Sequence, residues 1–134
     1  MPRVLIVDDD AVTADQFARV LLQEGFDVAT AYNGRDGLRK ASEARPDLVV
    51  MDLRMPLMDG LTLIDTFRSG TALHDVPAVV VTGDYLLDES DLARLNSVGV
   101  SIRFKPLWLD DLVEMVHTLV KAGANSFEQV APTA

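Results

Sequence analysis

Short apolar runs and segments with helical spacing alternate five times along the chain. Apolar runs of about four to eight residues are typical of buried strands, and apolar residues three and four apart are typical of helices packed on a sheet. The predicted strands are Arg3–Asp8, Phe26–Ala31, Asp47–Asp52, Ala78–Thr82 and Val100–Phe104. The predicted helices are Ala11–Glu24, Gly34–Ala44, Gly60–Ser69, Asp88–Val98 and Leu109–Lys121.

This alternation predicts an α/β fold. Strands joined by helical crossovers form a parallel sheet with helices on both faces, and such a sheet binds ligands at the carboxyl ends of its strands. The 134 residues correspond to one domain, predicted to span residues 1–122. Residues 123–134 lack a hydrophobic period, which predicts a flexible C-terminal tail or a linker stub.

Composition excludes several classes of function. Hydrophobic residues make up 49% of the chain, enough for a core, and the formal net charge is -9. An acidic chain is a poor match for nucleic acid or an anionic membrane surface, which select Lys and Arg. The absence of cysteine excludes disulfides, zinc–thiolate sites and thiol nucleophiles. No apolar stretch is long enough for a signal peptide or a membrane span, so we expect a cytoplasmic protein.

Polar residues, together with one glycine, lie at the ends of four of the five predicted strands. They are Asp8, Asp9 and Asp10 at the end of the first strand, Asp52 at the third, Thr82 and Gly83 at the fourth, and Lys105 at the fifth. Because the carboxyl ends of parallel strands lie along one edge, we expect these groups to converge. Asp10 is the exception, since it directly precedes a helix and is predicted to be its N-cap.

The convergence predicts a cation and a phosphoryl group. One lysine cannot balance the carboxylates of Asp8, Asp9 and Asp52, whereas a divalent cation can. The candidate ligands are all oxygens, which favours Mg²⁺, with Mn²⁺ as the alternative, over zinc. Lys105 and Thr82 are placed to contact phosphoryl oxygens, and an aspartate can itself be the nucleophile.

Four motifs in this order resemble the receiver domain of two-component response regulators. They are Val4–Asp10 (VLIVDDD), Met51–Gly60 (MDLRMPLMDG), Val81–Gly83 (VTG) and Lys105–Pro106 (KP). The resemblance covers essentially residues 3–122. It implies a flavodoxin-like, doubly wound (βα)5 sandwich with five parallel strands in the order 2-1-3-4-5.

The resemblance implies a phosphoacceptor and a metal site. Asp52 would accept a phosphoryl group from the histidine of a sensor kinase or a phosphotransfer protein. Mg²⁺ would be bound by Asp9 and Asp52 through carboxylates, by Asp8 largely through water, and by Arg54 through its main-chain carbonyl. Such a chain is a signalling domain and in the main not an enzyme, catalysing only its own phosphorylation and slow dephosphorylation.

The resemblance also implies how the phosphoryl group would be held. Thr82 would hydrogen-bond it, Lys105 would pair with it, and the small Gly83 would leave room for its oxygens. The Lys105–Pro106 bond would be cis. Homodimerisation through the face made by helix 4, strand 5 and helix 5 is a further expectation.

Five positions distinguish this chain within the resemblance. Ile102 stands where the family often has an aromatic switch residue, and Leu107 replaces a frequent Phe, so that Trp108 is the aromatic candidate on that face. Arg54 and Asp84 occupy the two positions that tune phosphoryl lifetime. Their opposite charges suggest that they pair across the mouth of the site and hinder the hydrolytic water.

Two alternatives stay open at this point. Asp8-Asp9-Asp10 also resembles the start of haloacid-dehalogenase-type phosphatases, with Asp8 as nucleophile, Asp10 as acid/base and Asp110-Asp111 as the final acidic pair. A degenerate receiver used only for protein contacts is the other. The sequence indicates neither the cognate kinase nor the output.

Overall fold

The chain alternates strictly between strands and helices. The computed structural model describes residues 1–55, 57–70, 72–83 and 87–133, with side chains described through residue 122. The described residues form the elements β1 (Arg3–Val7), α1 (Ala11–Gln23), β2 (Asp27–Ala31), α2 (Gly34–Glu43), β3 (Leu48–Met51), α3 (Gly60–Ser69), β4 (Ala78–Thr82), α4 (Glu89–Ser97), β5 (Val100–Phe104) and α5 (Leu109–Thr133).

The strands form one parallel sheet in the order β2-β1-β3-β4-β5, which confirms the predicted fold. The central strands are buried almost throughout, and the edge strands β2 and β5 are partly exposed. This difference follows from sequence, since a strand covered on both faces must be apolar at every position. The switch in strand order between β1 and β3 opens a crevice at their carboxyl ends.

Helices cover both faces of the sheet. On one face α1 and α5 pack against a core that includes Phe17, Leu21, Leu112 and Val116. On the other face α2, α3 and α4 pack against a core that includes Ala41, Leu63, Phe67 and Leu95. Alternate residues of β4 point to opposite faces, with Val79 and Val81 in the first core and Ala78 and Val80 in the second.

Nine elements begin and end within one residue of the predicted bounds, and α5 differs. This helix continues from the predicted end at Lys121 to Thr133. The added segment includes Gly123 and Pro132, both of which disfavour a helix interior, so intrinsic propensity does not explain the extension. The helix nevertheless does not end where the hydrophobic period ends. The domain boundary at residue 122 stays a prediction.

Among the described residues, no helix combines the length and the hydrophobicity that a membrane span requires.

Candidate functional site

The sheet ladder aligns the ends of four strands at one edge. The Asp52 N–H donates to the Val7 carbonyl at 2.9 Å, which joins the end of β3 to the end of β1. The Lys105 N–H donates to the Thr82 carbonyl at 2.8 Å, which joins the end of β5 to the end of β4. The backbone thus fixes where the predicted site residues emerge from the sheet, before any side chain contributes.

Asp8, Asp9 and Asp52 form an acidic cluster at this edge. One carboxylate oxygen from each lies within 4.8 Å of the others. Asp8 and Asp52 are buried, with 4% and 8% of their surface exposed, and Asp9 is exposed. The convergence predicted from the strand ends is therefore present.

Lys105 reaches into the acidic cluster. Its Nζ lies 2.9 Å from Asp8 Oδ2 and 3.0 Å from Asp52 Oδ2, so it donates to both buried carboxylates. The bond from Lys105 to Pro106 is cis, as the family resemblance implies. Three carboxylates and one ammonium leave this set of four side chains with a net charge of minus two.

Burial and pairing act against each other at this cluster. Burial raises the pKa of the Asp8 carboxyl, and hydrogen bonds from Lys105 and the Asp10 N–H oppose this shift only in part. Burial by itself would lower the pKa of Lys105, but its hydrogen bonds with Asp8 and Asp52 outweigh that effect and raise it. The ammonium is therefore strongly held in its charged form.

The donor chemistry fits a hard divalent cation. The cluster offers carboxylate oxygens from Asp8, Asp9 and Asp52, and its excess of two negative charges equals the charge of one such ion. Mg²⁺ and Mn²⁺ prefer oxygen ligands, and Mg²⁺ commonly keeps several waters, so three carboxylates suffice. Exposed Asp9 leaves one side of the cluster open to solvent.

Thr82 and Gly83 lie at the end of β4 along the same edge. Thr82 is fully buried, and Gly83 is exposed. A Cβ built on Gly83 would meet none of the described residues within 4 Å, so packing against them does not require a glycine here. Within the described part of the chain, the space beside the end of β4, which carries Thr82, is therefore unfilled.

The loop after β3 is fixed at its far end by helix α3. Asp59 caps α3 by accepting the Thr62 N–H at 2.9 Å, and the Gly60 N–H donates to the Leu53 carbonyl at 2.9 Å. A Cβ on Gly60 would lie 2.5 Å from the Asp52 carbonyl oxygen. Gly60 is thus required because α3 begins directly against the backbone of Asp52.

Gly34 supports this loop from a second helix and was missed by the sequence analysis. A Cβ on Gly34, the first residue of α2, would overlap the Met58 carbonyl oxygen. A contact between backbones that are distant in sequence leaves no hydrophobic period. The only sequence signal for this contact was a glycine at the first position of a predicted helix.

Three further predicted residues have different outcomes. Asp10 caps α1, as predicted, by accepting from the N–H groups of Val12 and Thr13. The Arg54 N–H donates to Asp52 Oδ1 at 3.4 Å, while its side chain is exposed. The proposed pairing of Arg54 with Asp84 lies outside the described residues.

The outer strand β5 departs from the expected aromatic arrangement. Ile102 is partly buried and packs against the core on the α2, α3 and α4 face. Trp108 is 72% exposed. The aromatic residue beside Thr82 is instead Phe104, which is its register partner in the parallel β4–β5 pair and is partly exposed. The sequence analysis missed Phe104 because register between strands is not visible in a single strand.

Known proteins resemble this chain in sequence and in fold. A family model described as the response regulator receiver domain matches residues 4–117. The transcriptional regulatory protein PrrA of Mycobacterium tuberculosis is 38% identical over 120 residues, which cover 90% of this chain and 50% of that protein. The chain thus spans about half the length of the curated relatives it matches first.

Two solved structures illustrate the likeness in fold. The signal receiver domain of a signal transduction histidine kinase from Syntrophus aciditrophicus is 29% identical, with a TM-score of 0.79 over 91% of this chain and 92% of that one. A CheY-like receiver domain protein from Methanospirillum hungatei has a TM-score of 0.85 at 24% identity, over 94% and 98% of the two chains. This chain belongs to the receiver domains of two-component response regulators.

Proposed function

We propose that Asp52 accepts a phosphoryl group from the histidine of a sensor kinase or a phosphotransfer protein, in a reaction that depends on Mg²⁺. The observation that carries this proposal is the position of Asp52, which belongs to the acidic cluster and also accepts a hydrogen bond from Lys105. Phosphoryl transfer brings the negatively charged phosphoryl oxygens close to the Asp52 carboxylate. A cation site and an ammonium on either side of this carboxylate reduce the repulsion between these charges.

Asp9 and Asp52 would hold the metal through their carboxylates and Arg54 through its main-chain carbonyl. Asp8 would contribute through water, since Asp8 Oδ1 accepts from the Asp10 N–H and Oδ2 from Lys105. Mg²⁺, or Mn²⁺ in its place, supplies charge neutralisation at the phosphoryl oxygens when bound.

In the proposed reaction a carboxylate oxygen of Asp52 attacks phosphorus and forms an acyl phosphate. The P–N bond to the donor histidine breaks, and its electron pair stays with the imidazole, which ends neutral. Lys105 would bind one phosphoryl oxygen and Thr82 would donate to another, with the space at Gly83 accommodating the group. Slow attack by water on the acyl phosphate would reset the domain.

The test is to map the phosphorylated residue. Incubation with acetyl phosphate and Mg²⁺ should add one phosphoryl group to Asp52, located by mass spectrometry after borohydride trapping. Asp52→Asn should abolish the label, whereas the matched control Asp111→Asn, in the exposed first turn of α5, should keep it. Label on Asp8 with steady release of phosphate would overturn the proposal.

The phosphatase alternative is not favoured. The family match covers most of the chain and assigns it to signalling receivers. Asp10, which would have to act as acid/base, is engaged as the cap of α1, and Asp110 and Asp111 are exposed in the first turn of α5. Loss of all Mg²⁺-dependent phosphorylation would support instead a receiver used only for protein contacts.

The response that follows phosphorylation is proposed in more general terms than the phosphorylation itself. The relative PrrA is named a transcriptional regulatory protein, and this chain spans about half of its length. We propose that the receiver acts in the cytoplasm, that it does not itself contact nucleic acid, and that phosphorylation changes what binds to α4, β5 and α5, including a second copy of the chain. Sedimentation with and without acetyl phosphate tests the homodimer.

A further inference from the structure

The first residue of α2 lies directly against the backbone of the loop after β3. A Cβ placed on Gly34 would overlap the Met58 carbonyl oxygen, and it would lie 2.8 Å from both the carbonyl carbon and the Cβ of Met58. Because the overlap falls on main-chain atoms, no change of side-chain rotamer can relieve it. Any other residue at this position would therefore displace either α2 or the loop.

Helix α2 is held closely to the sheet. A Cβ on Gly37 would lie 2.9 and 3.1 Å from the two methyl groups of Val7, so the helix already packs tightly on β1. Lys40 donates to the Thr30 carbonyl, which joins α2 to the edge strand β2. Close-packed interiors transmit strain and do not absorb it. We therefore expect the loop, rather than α2, to move when Gly34 is replaced.

A displacement of the loop at Met58 would reach the candidate site within two residues. Met58 is followed by Asp59 and Gly60, and the Gly60 N–H donates to the Leu53 carbonyl at 2.9 Å. A Cβ on Gly60 would lie 2.5 Å from the Asp52 carbonyl oxygen, so the start of α3 lies against the backbone of Asp52. The loop is thus in backbone contact with α2 on one side and with Asp52 on the other.

We propose that Gly34 is a positioning residue for phosphoryl transfer to Asp52. This inference rests on the proposed function, because it concerns the metal and the phosphoryl group that Asp52 would bind. Gly34 is not itself one of the proposed ligands. It allows α2 to pack against the loop, and the loop in turn fixes the backbone of Asp52 and of Arg54, whose carbonyl is a proposed metal ligand. Residues that orient metal ligands in this way change metal affinity or activity by about 10- to 100-fold when replaced.

The experiment compares Gly34→Ala with the unmodified chain. Acetyl phosphate labels Asp52 over a series of Mg²⁺ concentrations, and the concentration that gives half of the maximal rate should rise about tenfold in the variant. Hydrogen exchange should also become faster at the Gly60 amide, whose hydrogen bond to Leu53 closes the loop. A merely structural role of Gly34 would lower the melting temperature without changing the Mg²⁺ dependence.

Ala41→Gly is the matched control, because it destabilises the same helix near its other end. Ala41 is buried in the core, two residues before the end of α2. Loss of its methyl group and the low helix propensity of glycine should lower the melting temperature by about 3–8 °C. The Mg²⁺ dependence of labelling and the exchange of the Gly60 amide should stay as in the unmodified chain.

Met58→Gly tests the same contact from the loop if Gly34→Ala does not fold. Glycine frees the backbone at this position, so that the carbonyl can turn away from α2, whereas Met58→Ala removes the thioether chain and keeps a restricted backbone. The half-maximal Mg²⁺ concentration should rise more in Met58→Gly than in Met58→Ala.

Three results would overturn the inference alone: an unchanged Mg²⁺ dependence in Gly34→Ala, an equal change in Ala41→Gly, or equal behaviour of the two Met58 variants. Absence of label on Asp52 in the unmodified chain would overturn the proposed function, and the inference with it. The two failures are therefore distinguishable.

Discussion

Helices α1 and α4 begin at the same edge of the sheet but are held to it by different means. Both are capped by an aspartate, Asp10 for α1 and Asp88 for α4. In α1 the buried side chains are Ala14, Phe17 and Leu21. Residues 89–97 of α4 are all described, and among them Leu95 alone is buried.

An ion pair and a hydrogen bond hold the C-terminal half of α4, where few apolar side chains are buried. Arg94 forms an ion pair with Asp65 of α3. Arg68, also from α3, donates through Nε to the Val98 carbonyl at 2.9 Å, just beyond the end of α4. A helix held by few apolar contacts opens or shifts at lower cost than one held by a buried face. Helix α4, which follows the strand that carries Thr82, is thus expected to be locally less stable than α1.

The largest loss of stability is expected from removing an apolar side chain that packs α1 against the sheet. Phe17 is buried in the core beneath α1, so Phe17→Ala removes a ring and leaves a cavity. The change should cost about 3–5 kcal/mol of unfolding free energy, measured by denaturant titration. Phe17→Leu, which keeps most of the volume, is the control and should cost clearly less. A cost for Phe17→Ala below that of the Arg68 variant described next would contradict the comparison.

Arg68 provides the next test, because its single side chain satisfies three carbonyls. Besides Val98 it donates to Val76 at 2.8 Å and His74 at 3.1 Å. Arg68→Met keeps the aliphatic packing but removes the donors, which should cost about 1–3 kcal/mol. Hydrogen exchange should rise at residues 95–98 more than in α1. Arg68→Lys restores the charge without the planar fork and should recover only part of the loss.

The contrast between α1 and α4 also shows what sequence could predict. Helical spacing identified α1, since Ala14, Phe17 and Leu21 lie on one face and are buried. The predicted bounds of α4, which ended it before Gly99, were correct to one residue, but the sequence did not show which contacts hold this helix on the sheet. Arg68 is far from Val98 in sequence, and an arginine that donates to carbonyls has no local signature. Tertiary hydrogen bonds of this kind require the fold.

The candidate site was predictable for a related reason. Asp8, Asp52 and Lys105 directly follow their strands and Thr82 ends its own, so the topology alone places them at one edge of the sheet. The left-handed backbone of Leu57, with a φ of 69°, was not predictable, because a left-handed leucine has no signal in composition or period. Residues that act through position at strand ends are visible in sequence, and residues that act through backbone conformation or cross-strand register are not.

A smaller effect should follow from removing the cap of α4. The Asp88 side chain accepts the Asp91 N–H at 2.8 Å, so Asp88→Ala leaves a helix donor without this partner. The expected cost is about 1 kcal/mol, with Asp88→Asn as the control that keeps a capping oxygen. Because so little of α4 is buried, local exchange in α4 should rise even where global stability hardly changes. Uniform exchange across α1 and α4 would argue that both helices are held alike.

The smallest effect is expected from the Arg94–Asp65 pair. Both side chains are about half exposed, so solvent and salt screen the attraction, and pairs of this kind contribute about 0–1 kcal/mol. A double-mutant cycle with Arg94→Ala and Asp65→Ala isolates the coupling energy. A value near zero would leave Arg68 and Leu95 as the main hold on α4. A coupling energy well above about 1 kcal/mol would make the ion pair one of the main interactions that hold α4. The difference in stability between α1 and α4 would then be smaller than their buried apolar contacts indicate.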